Sequence, residues 1–243
     1  KGIDRFAKIA QFASISDKDI IRKSKEKDLF ITTDKDFIIK AFPFKHKNGT
    51  AVIPIPDLTL VYFHNAYKQN KDRIEVEKKL LDKLTHDKPS FGEDATNEIY
   101  QYYGSASGCI ISLFTSLESF INHILPDKEL YILETDKSTI TYNKKQIQKH
   151  INFDDKMKKV LPKLLEGKNF FSNSTPFTQH ITNLKNLRDD LIHTKSDLSF
   201  KNQEDLIKQL LRFKYEECFK AITKFMNFYR ENYIIECDCN SEY

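Results

Sequence analysis

Apolar residues at Ile99, Tyr103, Ala106, Ile110, Leu113, Leu117, Phe120 and Ile124 recur at steps of three and four until Pro126 interrupts them. That pattern predicts one helix of about 30 residues, three times the ordinary length, with an apolar face that only other helices can cover along its whole run. A helical bundle is therefore the first expectation. Gly104 and Gly108 lie inside this helix, where each costs about 1 kcal/mol against Ala, so they mark a close backbone approach or a bend.

Other segments supply partners for it. From Asn65 the chain is again helical, with Ile74, Leu80, Leu81 and Leu84 read as one inward stripe ending before Pro89, and Ser90-Phe91-Gly92-Glu93 has the form of a capping box opening the long helix. Thr175-Pro176 is a start signal, followed by an inward stripe of Phe177, Ile181, Leu184, Leu187 and Leu191. A last long helix is expected from Asn202 through Leu206, Leu210, Cys218, Phe219, Ile222, Phe225, Met226 and Tyr229, antiparallel to its predecessor. Between them, 127–175 reads as an extended piece over Tyr131 to Tyr142, a helix from Lys144 to His150, and another from Phe153 to Leu165 closed by Gly167.

The N-terminal portion differs. A short helix over Asp17 to Lys27, capped by Ser16, precedes strand signals at Phe37-Ile38-Ile39, Val52-Ile53-Pro54-Ile55 and Leu58 to Phe63, with Asn48-Gly49 as a two-residue hairpin turn. Pro54 and Pro56 place that strand at an edge. The fold class is thus mainly α, an antiparallel helical bundle with a small N-terminal α+β extension containing a β-hairpin or meander. The division is read as 1–88, the extension plus a connecting helix, and 89–243, the bundle.

With 40% apolar and 30% charged residues, including 19 Phe and 11 Tyr, the chain has the side chains for a core, which argues against disorder. No stretch has the roughly 20 uninterrupted apolar residues of a spanning helix, so no membrane partner is expected. Cys109, Cys218, Cys237 and Cys239 show no disulfide-framework spacing, which favours a cytoplasmic location. Cys237-Asp238-Cys239 is one residue short of the usual C-x2-C and no second pair follows, so neither metal nor cofactor is expected. A net charge of +4 diagnoses nothing by itself. Between Asp136 and Lys168, however, nine Lys face four acids. That run is either a solvated lysine face or a rim that attracts phosphate.

Near the end of the Thr175 helix stands Arg188-Asp189-Asp190-Leu191-Ile192-His193. An arginine five residues before a histidine says little by spacing alone, but it lies on a capped amphipathic helix shortly after the lysine-rich segment. The stretch Leu184 to His193 resembles the R-x4-6-H signature of the HEPN superfamily, in which Asn, Asp or His usually follows the arginine. Phe153-Asp154-Asp155-Lys156-Met157-Lys158-Lys159-Val160-Leu161-Pro162 resembles the lead-in of several bacterial HEPN subfamilies. Ser116-Leu117-Glu118-Ser119-Phe120-Ile121-Asn122, within Ser105 to Leu125, resembles their earlier helix with an acid near the site. The likeness covers about residues 90 to 230.

What the resemblance implies is a metal-independent endoribonuclease of bacterial toxin or antiviral abortive-infection systems, acting as a homodimer on RNA, with an antitoxin or regulatory protein as a further partner. The residue types suit that chemistry. RNA carries its own nucleophile in the 2′-hydroxyl. A histidine can move protons near neutrality, and a guanidinium can hold the phosphate as charge builds. His193 is the proton-transfer candidate and Arg188 the oxyanion clamp, with Asp189 sharing the His193 face and Glu118 a partner for Arg188 by family analogy. Five residues along a helix separate two side chains by about 140° and 7.5 Å, so a cleft shared by two copies suits them better than one chain. Other readings stay open: a non-catalytic HEPN-like module that docks RNA or protein, and an interaction protein whose β unit adds a strand to a partner. Asn186 shares the His193 face, while Tyr100, Tyr102, Tyr103, Phe170 and Phe171 are base-stacking or, more readily, core residues.

Overall fold

The computed structural model describes residues 17–26, 28–32, 38–85, 93–193 and 200–235. Its chain forms two compact units, Lys1–Asp57 and Leu58–Tyr243. The connecting helix belongs with the bundle, so the unit boundary falls at 57/58 and not at 88/89.

In the smaller unit α1 (Asp17–Glu26) precedes an antiparallel meander of β1 (Leu29–Thr32), β2 (Ile38–His46) and β3 (Gly49–Pro54), in that spatial order. The expected cap Ser16 and strand residue Phe37 lie outside the described residues. Pro54 ends β3, which among the described residues is an edge strand, as anticipated. Pro43 sits in β2 beyond Ala41, and among the described residues its pairing is with β3 alone. The hairpin turn is shifted from expectation: His46 pairs with Gly49, leaving Lys47 and Asn48 as the two loop residues. Lys47 takes the left-handed conformation, at φ 51°. Register decides this, because a one-residue slip would exchange the buried Ala41 side of the sheet with the face that carries Phe42 and Phe44.

The larger unit is a predominantly helical bundle: α2 (Leu58–Leu84), α3 (Glu93–Ile124), the hairpin β4 (Tyr131–Thr135) and β5 (Ser138–Tyr142), α4 (Lys144–His150), α5 (Phe153–Asp155), a π-helical turn (Lys156–Val160), α6 (Leu161–Leu164), α7 (Pro176–Ile192), α8 (Lys201–Arg212) and α9 (Tyr215–Tyr229). The capping box at 90–93 begins outside the described residues.

Leu58 to Phe63 is not a strand but the first turns of α2. Buried Thr59, Phe63, Ala66, Asn70 and Arg73 step by four, three, four and three, a helical period disguised by its polar members. Ile74 and Leu81, read as inward, are exposed. The polar members have partners that justify their burial: Arg73 donates to Asn70 Oδ1 (2.9 Å), pairs with Glu77 and stacks on the Tyr215 ring (4.0 Å), while Asn70 donates to Glu216 (2.8 Å).

α3 is the central element, with Tyr102, Ala106, Cys109, Ile110, Leu113, Phe114, Leu117, Phe120 and Ile121 buried. By length and hydropathy Ala95–Ile124 would suffice to cross a membrane, and 56% of its most apolar window is buried inside the bundle. α2 runs antiparallel to it, as three contacts spaced along both helices show: Thr59 to Ser119 (3.2 Å), Asn65 to Ser112 (2.9 Å) and Lys83 to Glu98 (2.7 Å). A Cβ on Gly108 would stand 2.6 Å from Gln69 of α2, whereas one on Gly104 would meet nothing within 4 Å. Close approach thus explains only Gly108. α7 lies antiparallel to α9, with the Cys218 thiol against the His180 carbonyl and Lys224 over the Phe177 ring.

The expected single C-terminal helix is two. From Leu210 the next buried position is Tyr215, a step of five that turns about 140° off the inward stripe of a continuous helix. The chain breaks at Phe213, which is extended, and Tyr215 Oη caps the Leu210 carbonyl at 3.1 Å.

Candidate functional site

Thr175 starts α7 as the sequence suggests: its hydroxyl accepts from the Thr178 N–H (3.2 Å) and the Thr178 hydroxyl accepts from the Thr175 N–H (2.9 Å), a reciprocal cap with Pro176 at the first helical position. Ile181, Leu184, Leu187 and Leu191 are then buried, and this anchoring decides where the motif residues point.

Arg188 faces α3. Its guanidinium carbon lies 4.6 Å from the Phe114 ring centre, Nη2 is 3.6 Å from Glu118 Oε2, and Nη1 donates to Asp189 Oδ1 at 2.9 Å. The side chain keeps 27% exposure, so an incoming anion can reach it. Asp189 also accepts from Lys185 (3.2 Å), which stands 3.5 Å from Asp154. Burial raises the Asp189 carboxyl, but the bonds from Arg188 and Lys185 outweigh it and hold it below its ordinary value. Lys185 is pushed up, chiefly by its bond to Asp189.

His193 goes elsewhere. It is the C-cap of α7, exposed, with its N–H on the Asp189 carbonyl at 2.9 Å. The Asp189 carboxylate is taken up by Arg188 and Lys185 and not by the imidazole ring. Within one chain the structure therefore brings together Arg188, Glu118 and Asp189 and leaves His193 on a separate face. Asn186, also exposed, lies on the His193 side.

The residue that sequence reasoning missed is Lys156. It opens the π-helical turn just before Pro162 and is 8% exposed. Nζ donates to the Gln148 carbonyl (3.0 Å) and sits 3.4 Å from Asn122 Oδ1, both neutral acceptors. Burial lowers the Lys156 pKa, while Glu118 opposes that shift. Glu118 thus stands in the field of two cations, Arg188 and Lys156. Nothing in the lysine run separates Lys156 from its neighbours. Lys137, Lys145, Lys149, Lys158 and Lys168 are exposed, Lys159 pairs with Asp155, and Lys144 pairs with Asp127. π turns are frequent at functional sites, and ionisable groups shifted by burial also cluster there.

Of the aromatic candidates, Tyr102 is core, and Phe170 packs on Phe225 (5.2 Å) and Phe228 (5.5 Å). Tyr100 is exposed. Cys109 and Cys218 are buried free thiols, both pushed up by burial, Cys109 to about 12. Cys237 and Cys239 lie outside the described residues. No family model matches the chain, no curated protein matches it, and no solved structure matches its fold.

Proposed function

We propose that the chain is a metal-independent endoribonuclease of the HEPN kind, cutting RNA at a cleft shared by two copies, in the setting of a toxin or antiviral defence system in the cytoplasm. The observation that carries this reading is the seating of Arg188. A guanidinium held by Phe114, Glu118 and Asp189, yet part exposed on a capped helix, is preorganised to meet a phosphoryl oxygen without moving far. His193 stands at the open end of the same helix, exposed, where its imidazole ring can take a proton from the 2′-hydroxyl and deliver one to the 5′-leaving oxygen. The two residues face different sides of α7, so pairing α7 with its copy about a two-fold axis would set Arg188 of one chain beside His193 of the other.

A second reading has its own support. Two carboxylates already flank Arg188, and a phosphate must displace or share them. A bundle that binds RNA or a regulatory protein without cutting would retain that arrangement.

Purified protein should cut RNA in EDTA and leave 2′,3′-cyclic phosphate ends, and Arg188→Ala and His193→Ala should each remain folded and inactive. Full activity in either variant overturns the proposal, while RNA that is bound but left intact by the wild type supports the second reading.

A further inference from the structure

Between α7 and α8 lies an open cleft of about 880 Å³, within the range of about 300–1,000 Å³ that ligand sites occupy. Its α7 wall presents Gln179, Asn183 and Asn186, stepping by four and three. Continuing that spacing along the helix gives Asp190 and then His193, all within about 80° of one another at 100° per residue. The proton-transfer candidate therefore stands at the end of the same face that forms the cleft, on the side of α7 turned away from Arg188.

Across the cleft, α8 and the break after it supply Lys208, Gln209, Arg212 and Lys214 against one acid, Asp205. Lys208 is paired with Glu204. Among the described residues neither Arg212 nor Lys214 has an acidic partner, and both are exposed. Phe213, half-buried and packed edge-on against Tyr215 at 5.1 Å, adds an aromatic wall between them. The α8–α9 break is what aims Arg212 and Lys214 into the cleft, since both residues flank it.

The chemistry of this wall selects its ligand. Carboxamides carry a donor and an acceptor each and can match base edges, and unpaired cations serve phosphates. A concave surface of this kind suits unstacked single-stranded RNA, whereas duplex RNA is recognised by shape and backbone across its own minor groove. We infer that the α7–α8 cleft holds the single-stranded RNA that flanks the phosphate cut at His193. Arg212 and Lys214 hold its backbone, and Asn183, Asn186 and Gln209 face its bases. The assignment rests on the ribonuclease reading for the location of the cut.

The test uses the full chain and a fluorescein-labelled, 2′-O-methylated 12-nucleotide strand that cannot be cleaved, followed by anisotropy across a salt series, with unmodified RNA for kinetics. The double variant Arg212→Glu/Lys214→Glu changes two exposed positions and should leave the circular dichroism unchanged. Its Kd should rise about tenfold or more, and the slope of log K against log salt should flatten by about 1.4, two contacts at about 0.7 each. KM should rise in step while kcat is kept. Asn183→Ala/Asn186→Ala should change the preference among oligo-A, oligo-C, oligo-G and oligo-U without changing the salt slope. An unchanged Kd and slope in the charge-reversed variant overturns the cleft assignment even where cleavage persists. A glutamate-rich peptide that displaces the oligonucleotide at equal concentration reveals a general anion surface and also overturns it. Binding that depends on Arg212 and Lys214 in a protein that never cuts RNA leaves the cleft standing and removes the ribonuclease.

Discussion

Removing the Arg188 side chain separates structure from chemistry, because its contacts fix how much stability its loss should cost. The stacking of a partly exposed guanidinium on Phe114 at 4.6 Å is worth about 0.5–1 kcal/mol. Contacts with Glu118 and Asp189, whose side chains are 38% and 36% exposed, contribute about 0.2–1 kcal/mol each once solvent screening is allowed for. Arg188→Ala should therefore destabilise the bundle by about 1–3 kcal/mol, against the roughly 5–15 kcal/mol of an ordinary domain. With a urea m-value of about 2 kcal/mol/M the midpoint should fall by about 0.5–1.5 M. The chain has no Trp, so the helical circular dichroism signal is the probe of choice. A cycle with Glu118→Gln should return a coupling of about 0.2–1 kcal/mol. An unmoved midpoint would mean that the contacts with α3 are not made in solution. A loss above about 4 kcal/mol would mark Arg188 as a structural pin, and lost cleavage in that variant would then say nothing about chemistry.

Lys156→Met should leave the protein at least as stable at pH 7, because a buried ammonium held by neutral acceptors gives way to a side chain that prefers the core; urea melts check this, and lost cleavage in the stable variant would assign Lys156 to positioning Glu118. Because the Lys156 pKa is lowered by burial from its ordinary 10.5, the unfolded chain holds that proton more tightly. Stability should rise with pH between the folded value and 10.5, and the Met variant should lose that rise. Gly104→Ala should stabilise by up to about 1 kcal/mol, whereas Gly108→Ala should forfeit most of that gain by displacing Gln69 from Ser112, a contrast readable in thermal melts. Thr175→Ala should cost about 1 kcal/mol through loss of the α7 cap, with kcat unchanged at temperatures well below the melt.

Sequence alone was enough for the long central helix, the capped start of α7 and the presence of an N-terminal hairpin, though not for its register or for the β4–β5 pairing, because each of the first three depends on local terms: apolar period, turn chemistry and a reciprocal cap. It also brought Arg188 and Glu118 forward as partners, through resemblance, and the structure places them 3.6 Å apart. The first turns of α2 were not legible. Leu58 to Phe63 has a strand-like composition, and only packing against α3 and α9 makes Thr59, Asn70 and Arg73 inward positions. The C-terminal break was visible in principle as the five-residue step from Leu210 to Tyr215, but helical spacing on both sides conceals it. The burial of Lys156 depends on which lysine of a run meets Gln148 and Asn122, and the α7–α8 cleft on how two consecutive helices come together. Those are contacts between separate elements, and a one-dimensional pattern records the period of each element without recording which faces meet.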